Sequence, residues 1–467
     1  MNRLSALDAL FLYAEDGTSH MHIGSCAVFD GPAPTHRQLA RWIDGRLHLV
    51  PRFRQRVQFV PGHLGRPIWI DDDTFDLDRH LRSRRLERPG DDEALWALVA
   101  ALMSDELDRD HALWQMTMVT GLASGRWALV TKAHHCMVDG VSGTDLMSAL
   151  LDDQRSPVTT ERPRWTPAPP PSAAELVTGA LRANAGDAAT AVRAVGRCVR
   201  APRRAWETSA GAATGLLEFA RHLARPDRGV PVDGHLDADR TFAVARCELA
   251  DVRDIRRTLG GSVNDVVLSV VAGAMREVMA DGVSPGTTVS CLVPVSIRAA
   301  DDRTANNQVS LIIAPLAVGV GDPVERLDVT RRNMAELKRS NEVAAGIATF
   351  TLANLVPAPL LAAGIRATET FMQQVSQRIV GTVATNVPGP RAPLYALGRE
   401  MREYIPFVPL GPGVRVGIAI LSYDGHLAFG VSGDGGTGRQ VDRIATSIED
   451  GMARLVELAT TRGRTAS

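Results

Sequence analysis

The sequence predicts an α/β protein built as two lobes, and three observations predict it. The chain has 467 residues, more than a single hydrophobic core normally serves. Segments with helix and strand periodicity alternate in the first third and resume in the last half. Between them the texture changes to proline-rich and then Ala- and Arg-rich sequence. These shifts divide the chain into an amino-terminal lobe over 1–154, a crossover over 155–238 and a carboxy-terminal lobe over 239–467.

Each element has its own signal. In "PTHRQLARWI", Thr35 is a helix cap and Gln38 completes a capping box, with Leu39, Trp42, Ile43 and Leu47 on one face. "RWALVTKAHH" (126–135) has the apolar, branched character of a strand, and "SGTDLMSALL" then starts a helix capped by Ser142, with Asp145 at its third position. The crossover opens with "RSPVTTERPRWTPAPPP", whose prolines exclude it from a sheet interior. Its helical part carries Arg193, Arg197, Arg200, Arg203 and Arg204, read either as a solvated face or as a contact for anionic lipid headgroups.

In the last half, "RTFAVARCEL" reads as a strand and "ADVRDIRRTL" as a helix. "SVNDVVLSVVAGAMREVM" reads as a helix capped near Ser262, with Val266, Val267, Val270, Val271 and Met275 at core spacing. "TVSCLVPVSIR" and "NQVSLIIAPLAV" follow as strands. "VRVGIAILSYDGHLAFGVS" is a hairpin turning at Asp424-Gly425, and a final helix carries Val441, Ile444, Ile448, Met452 and Leu455 on one face.

Composition narrows the function classes. Charged residues are 22% and hydrophobic ones 45%, and the formal net charge is -1 with both signs interspersed, so nothing suggests nucleic acid as a partner. Aromatics, the usual stacking platform for bases, are only 5%. Cys26, Cys136, Cys198, Cys247 and Cys291 are scattered thiols without CxxC spacing, which suits a reducing compartment better than a disulfide framework or a zinc site. The first residues lack the flanks of a secretory signal, and no apolar run reaches about 18 residues. A cytoplasmic location is expected, with peripheral contact at the inner membrane face or lipid droplets still open to the chain.

The chemistry concentrates in "TKAHHCMVDGVSG" (131–143), at a strand-turn-helix corner that leaves its side chains beside a cleft. Histidine suits base chemistry because its unperturbed pKa, near 6.5, lies close to cellular pH. His134-His135-Cys136-Met137-Val138-Asp139-Gly140 matches HHxxxDG, the signature of the CoA-dependent acyltransferase superfamily, which includes chloramphenicol acetyltransferase and peptide-synthetase condensation domains. The chain more closely resembles the bacterial wax ester synthase/diacylglycerol acyltransferase family. The resemblance rests on "LSALDALFLYAED…MHIG", Leu113-Trp114, "NDVVL" (264–268), "PVSIR" (294–298), "NVPGP" (386–390) and "LSYDGHLAFG" (421–430), running from about residue 4 to about 455. Ala112 stands where proline is usual before Leu-Trp, a positional change that puts little in doubt.

That resemblance implies two chloramphenicol-acetyltransferase-like lobes with a tunnel at their interface, where acyl-CoA and a lipid alcohol meet. It implies acyl transfer to diacylglycerol; alternatives are a long-chain alcohol, giving a wax ester, or another acceptor such as a sugar, polyketide or amine. A non-catalytic lipid-binding protein on the same fold is the reading from a different class. Acyl-CoA is a substrate, and neither a cofactor nor a metal is implied. His135 is the implied general base. His134 points to the other side of the strand and supports structure, Asp139 pairs with Arg298 to fix the corner, and Gly140 permits the tight turn.

Asn264 and Asp265 form the family's Asn-Asp pair at a helix start. Asn264 is the first candidate to line the reaction centre and supply an oxyanion donor, or else a plain helix cap; one residue can do both. Asn386 is a second candidate, although Pro-Gly-Pro after it reads first as a turn. Glu15 and Trp114 match family positions near the substrate tunnel or the lobe core, with core packing preferred for Trp114.

Cys136 as a nucleophile is set aside, because it lies next to His135 on alternating backbone and the superfamily transfers directly. His20 and His22 share a strand face as a possible metal pair, but no third ligand of suitable spacing is evident, so they are read as structural. "LGGSVND" lacks the spacing of a phosphopantetheine serine motif. The Ala-rich stretch 348–375 is read either as a buried helical hairpin or as a lipid-facing surface near the tunnel mouth.

Overall fold

A computed structural model describes residues 2–137, 149–156, 164–200, 232, 234–279, 283–296, 309–339, 380–411 and 413–465. Asp139, Gly140, Arg298, the expected helix after Ser142 and the stretch 348–375 lie outside the described residues.

Two six-stranded sheets form the frame. The first contains β2 (His22–Phe29), β5 (Leu81–Arg85), β6 (Trp114–Thr120), β7 (Trp127–His134), β12 (Tyr395–Ala396) and β13 (Arg399–Phe407), in the order β12-β13-β2-β7-β6-β5. The second contains β8 (Arg240–Glu248), β9 (Val289–Ser296), β10 (Val309–Leu316), β11 (Thr382–Pro388), β14 (Val416–Tyr423) and β15 (His426–Asp434), in the order β10-β9-β11-β14-β15-β8. A small sheet of β1 (Asn2–Arg3), β4 (Ile68–Asp71) and β3 (Gln55–Gln58) flanks the first.

One excursion of the chain joins the two sheets. Residues Tyr395–Phe407 leave the second lobe and complete the first lobe's sheet, with β13 pairing antiparallel to β2 from Phe407 opposite Gly24 to Met401 opposite Phe29. The returning strand covers the open edge of β2 that would otherwise present unpaired amides and carbonyls. The crossover also docks on the first lobe: in the helix Ala173–Arg200, Leu176 and Ala180 close a small core with Val60, Ile68 and Ile70.

Helix α1 (Ala6–Tyr13) is capped by Ser5. Local signals act as expected in several places: α2 (His36–Asp44) has the Thr35–Gln38 capping box with Leu39, Trp42 and Ile43 buried. The β14–β15 hairpin turns with φ of 44° at Asp424 and 87° at Gly425, the positive pair a tight type I′ turn requires. In the second lobe, the helix Val263–Val278 and the final helix Gly438–Thr465 lay Val266, Val267, Val270, Val271, Met275, Ile444, Ile448 and Met452 into one apolar core against the sheet.

The lobes meet through apolar and charged contacts. Trp96, on the helix Asp92–Ser104, meets Phe242 of β8 edge-on at 5.9 Å, and Phe242 touches Phe407 at 5.5 Å. Arg246 of β8 ties both sides together by donating to Asp92 at 2.6 Å and to Glu403 at 2.7 Å.

Candidate active site

His134 is the last residue of β7, and His135 begins a short 3₁₀ turn, His135–Met137, so the strand's alternation ends between them. His134 is buried at 1% exposure, and its Nδ1 accepts from the Cys136 amide at 3.1 Å. An accepting Nδ1 leaves the ring proton of a neutral imidazole on Nε2, which faces Glu15 Oε2 at 3.4 Å. His134 therefore looks back into the first lobe.

His135 occupies a different environment. Its ring stacks on Phe11 of α1, centroids 3.8 Å apart and planes 20° from parallel. Its amide donates to the Met21 carbonyl at 2.8 Å, fixing the backbone at the start of the turn. Nδ1 is buried with no partner on another described residue. Burial pushes the imidazole down to about 4; its own backbone carbonyl opposes the fall and His134 adds to it. The ring is thus neutral at cellular pH and able to accept a proton.

Cys136 beside it is 1% exposed, and burial raises its thiol well above the ordinary range, with Asp8 and Glu15 adding to the rise. A buried, protonated thiol is a poor nucleophile.

Beneath the histidine pair lies a cluster of buried titratable groups. Antiparallel pairing sets His22 of β2 directly opposite His134 of β7. Glu15, two residues past the end of α1, points between them, with Oε1 at 3.3 Å from His22 Nε2. Arg109 donates to the other oxygen through Nε at 3.1 Å and through its terminal nitrogen. Burial works against the Glu15 charge, but contacts with His134 and His22 and the Arg109 bond hold the carboxyl far below the usual range. His20 completes the cluster, its ring 5.5 Å from that of His22. Sequence spacing alone showed only the His20–His22 pair; the chain reversal between α1 and β2 supplies Glu15.

On the same face of β7 as His134, Lys132 is buried and donates to the carbonyls of Leu102 and Asp105, both at 2.7 Å. It satisfies the carboxy-terminal end of the helix Asp92–Ser104, where a cation suits the dipole. Desolvation lowers it to about 8.

The remaining candidates separate. Asn264 and Asn386 come together, with Asn386 Nδ2 donating to Asn264 Oδ1 at 3.4 Å. The cap at this helix start belongs to Ser262 and Asp265: the Ser262 hydroxyl accepts from the Asp265 amide at 3.2 Å, and Asp265 Oδ2 accepts from the Ser262 amide at 2.7 Å. This corrects the reading of Asn264 as a plain cap, and it gives Asp265 a local structural task. Trp114 is 1% exposed, stacked between Phe53 at 4.5 Å and His80 at 4.6 Å, with its indole donating to the Phe53 carbonyl at 2.8 Å. It is core. Phe11 and Arg109 escaped sequence reasoning, since each reaches the site through contacts that the fold makes.

Two α/β lobes, each on a six-stranded sheet, with a histidine pair at a strand end form a fold shared with condensation domains. The first condensation domain of the calcium-dependent antibiotic synthetase shares that fold, at 16% identity and a TM-score of 0.58 over 97% of this chain and 96% of that one. The family is narrower. Residues 4–267 match the wax ester synthase/diacylglycerol acyltransferase catalytic domain and residues 305–456 match the WS/DGAT C-terminal domain, so the chain belongs to the wax ester synthase/diacylglycerol acyltransferase family. It is 35% identical to the "Probable diacyglycerol O-acyltransferase tgs1" of Mycobacterium tuberculosis, across 99% of this chain and 97% of that protein. The wax ester synthase/diacylglycerol acyltransferase of Marinobacter aquaeolei VT8 has a similar structure, with 25% identity and a TM-score of 0.67 over 98% of this chain and 100% of that chain.

Proposed function

We propose that this protein transfers the acyl group of a long-chain acyl-CoA to the free hydroxyl of diacylglycerol, forming triacylglycerol and CoA, with His135 as the general base. The observation that carries the base assignment is the state of His135: a neutral imidazole at the end of β7, locked by Phe11 and by the Met21 carbonyl. Its buried Nδ1 leaves Nε2 as the nitrogen for chemistry. Nε2 takes the hydroxyl proton as the oxygen attacks the thioester carbonyl. The tetrahedral oxyanion then collapses, the carbon–sulfur bond breaks and the same proton passes to the leaving thiolate. No acyl-enzyme forms, in keeping with the protonated state of Cys136.

Asn264 and Asn386 are the groups we assign to the oxyanion side. Each orders the other's amide, and Asp265 frees Asn264 from capping. Asp139 and Arg298 are assigned to the pair that holds the corner after His135. Catalysis on this scheme needs no metal or redox group at the reacting atoms.

Diacylglycerol is insoluble, so the acceptor must be met at a lipid surface, and we assign the protein a peripheral contact there. Among the described residues, no single helix is long and apolar enough to cross a membrane.

The test offers palmitoyl-CoA to purified protein with diacylglycerol, with hexadecanol or with no acceptor, following thiol release and separating the lipid products. Triacylglycerol as the main product supports this reading. Preference for hexadecanol makes wax ester synthesis the principal activity. Folded protein that releases no CoA with either acceptor overturns the lipid-ester assignment.

A further inference from the structure

The cluster under the histidine pair holds more polarity than the acyl-transfer scheme uses. His20 is 5% exposed and neither of its ring nitrogens has a hydrogen-bond partner among the described residues; His22 is 1% exposed, with Nε2 beside Glu15 and Nδ1 likewise without a partner among them. Leaving such groups unsatisfied in a folded interior is costly. The arrangement calls for a ligand.

We propose that Glu15, His20 and His22 form a binding site for one divalent transition-metal ion of the zinc type, which staples the segment supporting His135. One ligand atom from each of the three lies within 4.8 Å of the other two. The Glu15 Oε1–His22 Nε2 separation is 3.3 Å. Zinc bonds of about 2.0–2.1 Å place neighbouring tetrahedral ligands roughly 3.3–3.4 Å apart, so this edge already has metal-site dimensions. A modest side-chain rotation of His20 closes the third corner, and two imidazoles with one carboxylate is a donor set that suits zinc and its neighbours.

The surroundings fit an ion as well. His134 Nε2 and Arg109 both address Glu15 Oε2, which leaves Oε1 to the metal side. Outer contacts of this kind orient a ligating carboxylate. Lys132, on the same face of β7 as His134, is engaged by the carbonyls of Leu102 and Asp105.

The position gives the ion a task. Met21 sits between the two histidine ligands, and its carbonyl accepts the His135 amide. A metal on His20 and His22 therefore fixes the backbone on which the base rests. Its role is positioning, with no metal contact to substrate.

The full-length protein, purified without chelator, is measured for bound metal by mass spectrometry. Metal-free protein is then titrated with Zn²⁺ and with Co²⁺, reading the visible Co²⁺ absorption and the melting temperature. The expected result is close to one ion per chain, a Co²⁺ spectrum of low-symmetry coordination, and a melting temperature that rises with metal. His20→Ala should lose stoichiometric binding, while His135→Ala, outside the site, should keep it. Wild-type protein that binds less than about a tenth of an equivalent and shows no thermal response overturns the proposal, as does a folded His20→Ala variant that binds like wild type. The wild-type titration decides the matter even where the variant does not fold, and it does so independently of any acyl-transfer activity.

Discussion

The two lobes carry six-stranded sheets of matching size, yet they differ in how they treat their buried charged and titratable groups. In the second lobe, charge is resolved locally. Asp434, fully buried, receives Arg415 in a two-pronged pair at 2.6 and 2.8 Å, and Arg326 donates to the carbonyls of Ser269 and Val320. In the first lobe, the end of the β2–β7 pair gathers Glu15, His20, His22, His134 and His135, and several of their ring nitrogens have no hydrogen-bond partner among the described residues. Satisfied polarity of the first kind holds a fold together. Unsatisfied polarity of the second kind marks the place where a substrate or an ion completes the site.

The contrast can be broken experimentally. Asp434→Ala should cost about 3–5 kcal/mol in urea unfolding, because it leaves Arg415 buried without its counter-charge. A loss below about 1 kcal/mol would mean that the pair is not structural. Asn264→Ala should lower kcat by about 10²- to 10³-fold if it supplies an oxyanion donor, while leaving unfolding close to wild type. Ser262→Ala should do the reverse, costing about 0.5–2 kcal/mol of stability with kcat within a few-fold. If the two variants behave alike, the division of labour between cap and reaction centre is wrong.

The smallest effect concerns pH. His135 is lowered from 6.5 to about 4, so the base form is complete throughout the neutral range. Turnover should stay flat between about pH 6 and 8 on this account and fall only as pH drops toward 4. The linkage has the same direction: the unfolded chain binds this proton more readily, so the stability contribution is present above about 6.5 and is lost as pH falls through the window toward 4. A rate profile with its midpoint near 6.5 would show that the ring is more solvated than its packing against Phe11 implies.

Much of this was legible in the sequence where the cause is local. The Thr35–Gln38 box, the Asp424-Gly425 turn and the apolar stripe from Val266 to Met275 each depend on residues within a turn or two of one another. The return of Arg399–Phe407 to the first sheet was not legible, because strand periodicity says which face is apolar and nothing about a partner some 370 residues away. Glu15 joined His20 and His22 for a related reason. Period-two spacing reveals the two histidines, but the third member comes from the helix end across a reversal. The site motif itself was plain at His134-His135, and the pairing of Asn264 with Asn386 needed the fold.

The central claim is that His135 removes the acceptor's proton during direct transfer from the thioester. Its most direct test compares triacylglycerol formation from palmitoyl-CoA and diacylglycerol by wild type and His135→Ala, with circular dichroism confirming that both are folded. The account predicts a rate lower by about 10²- to 10⁴-fold in the variant, with the fold intact. A folded His135→Ala protein that forms triacylglycerol at close to the wild-type rate would contradict it.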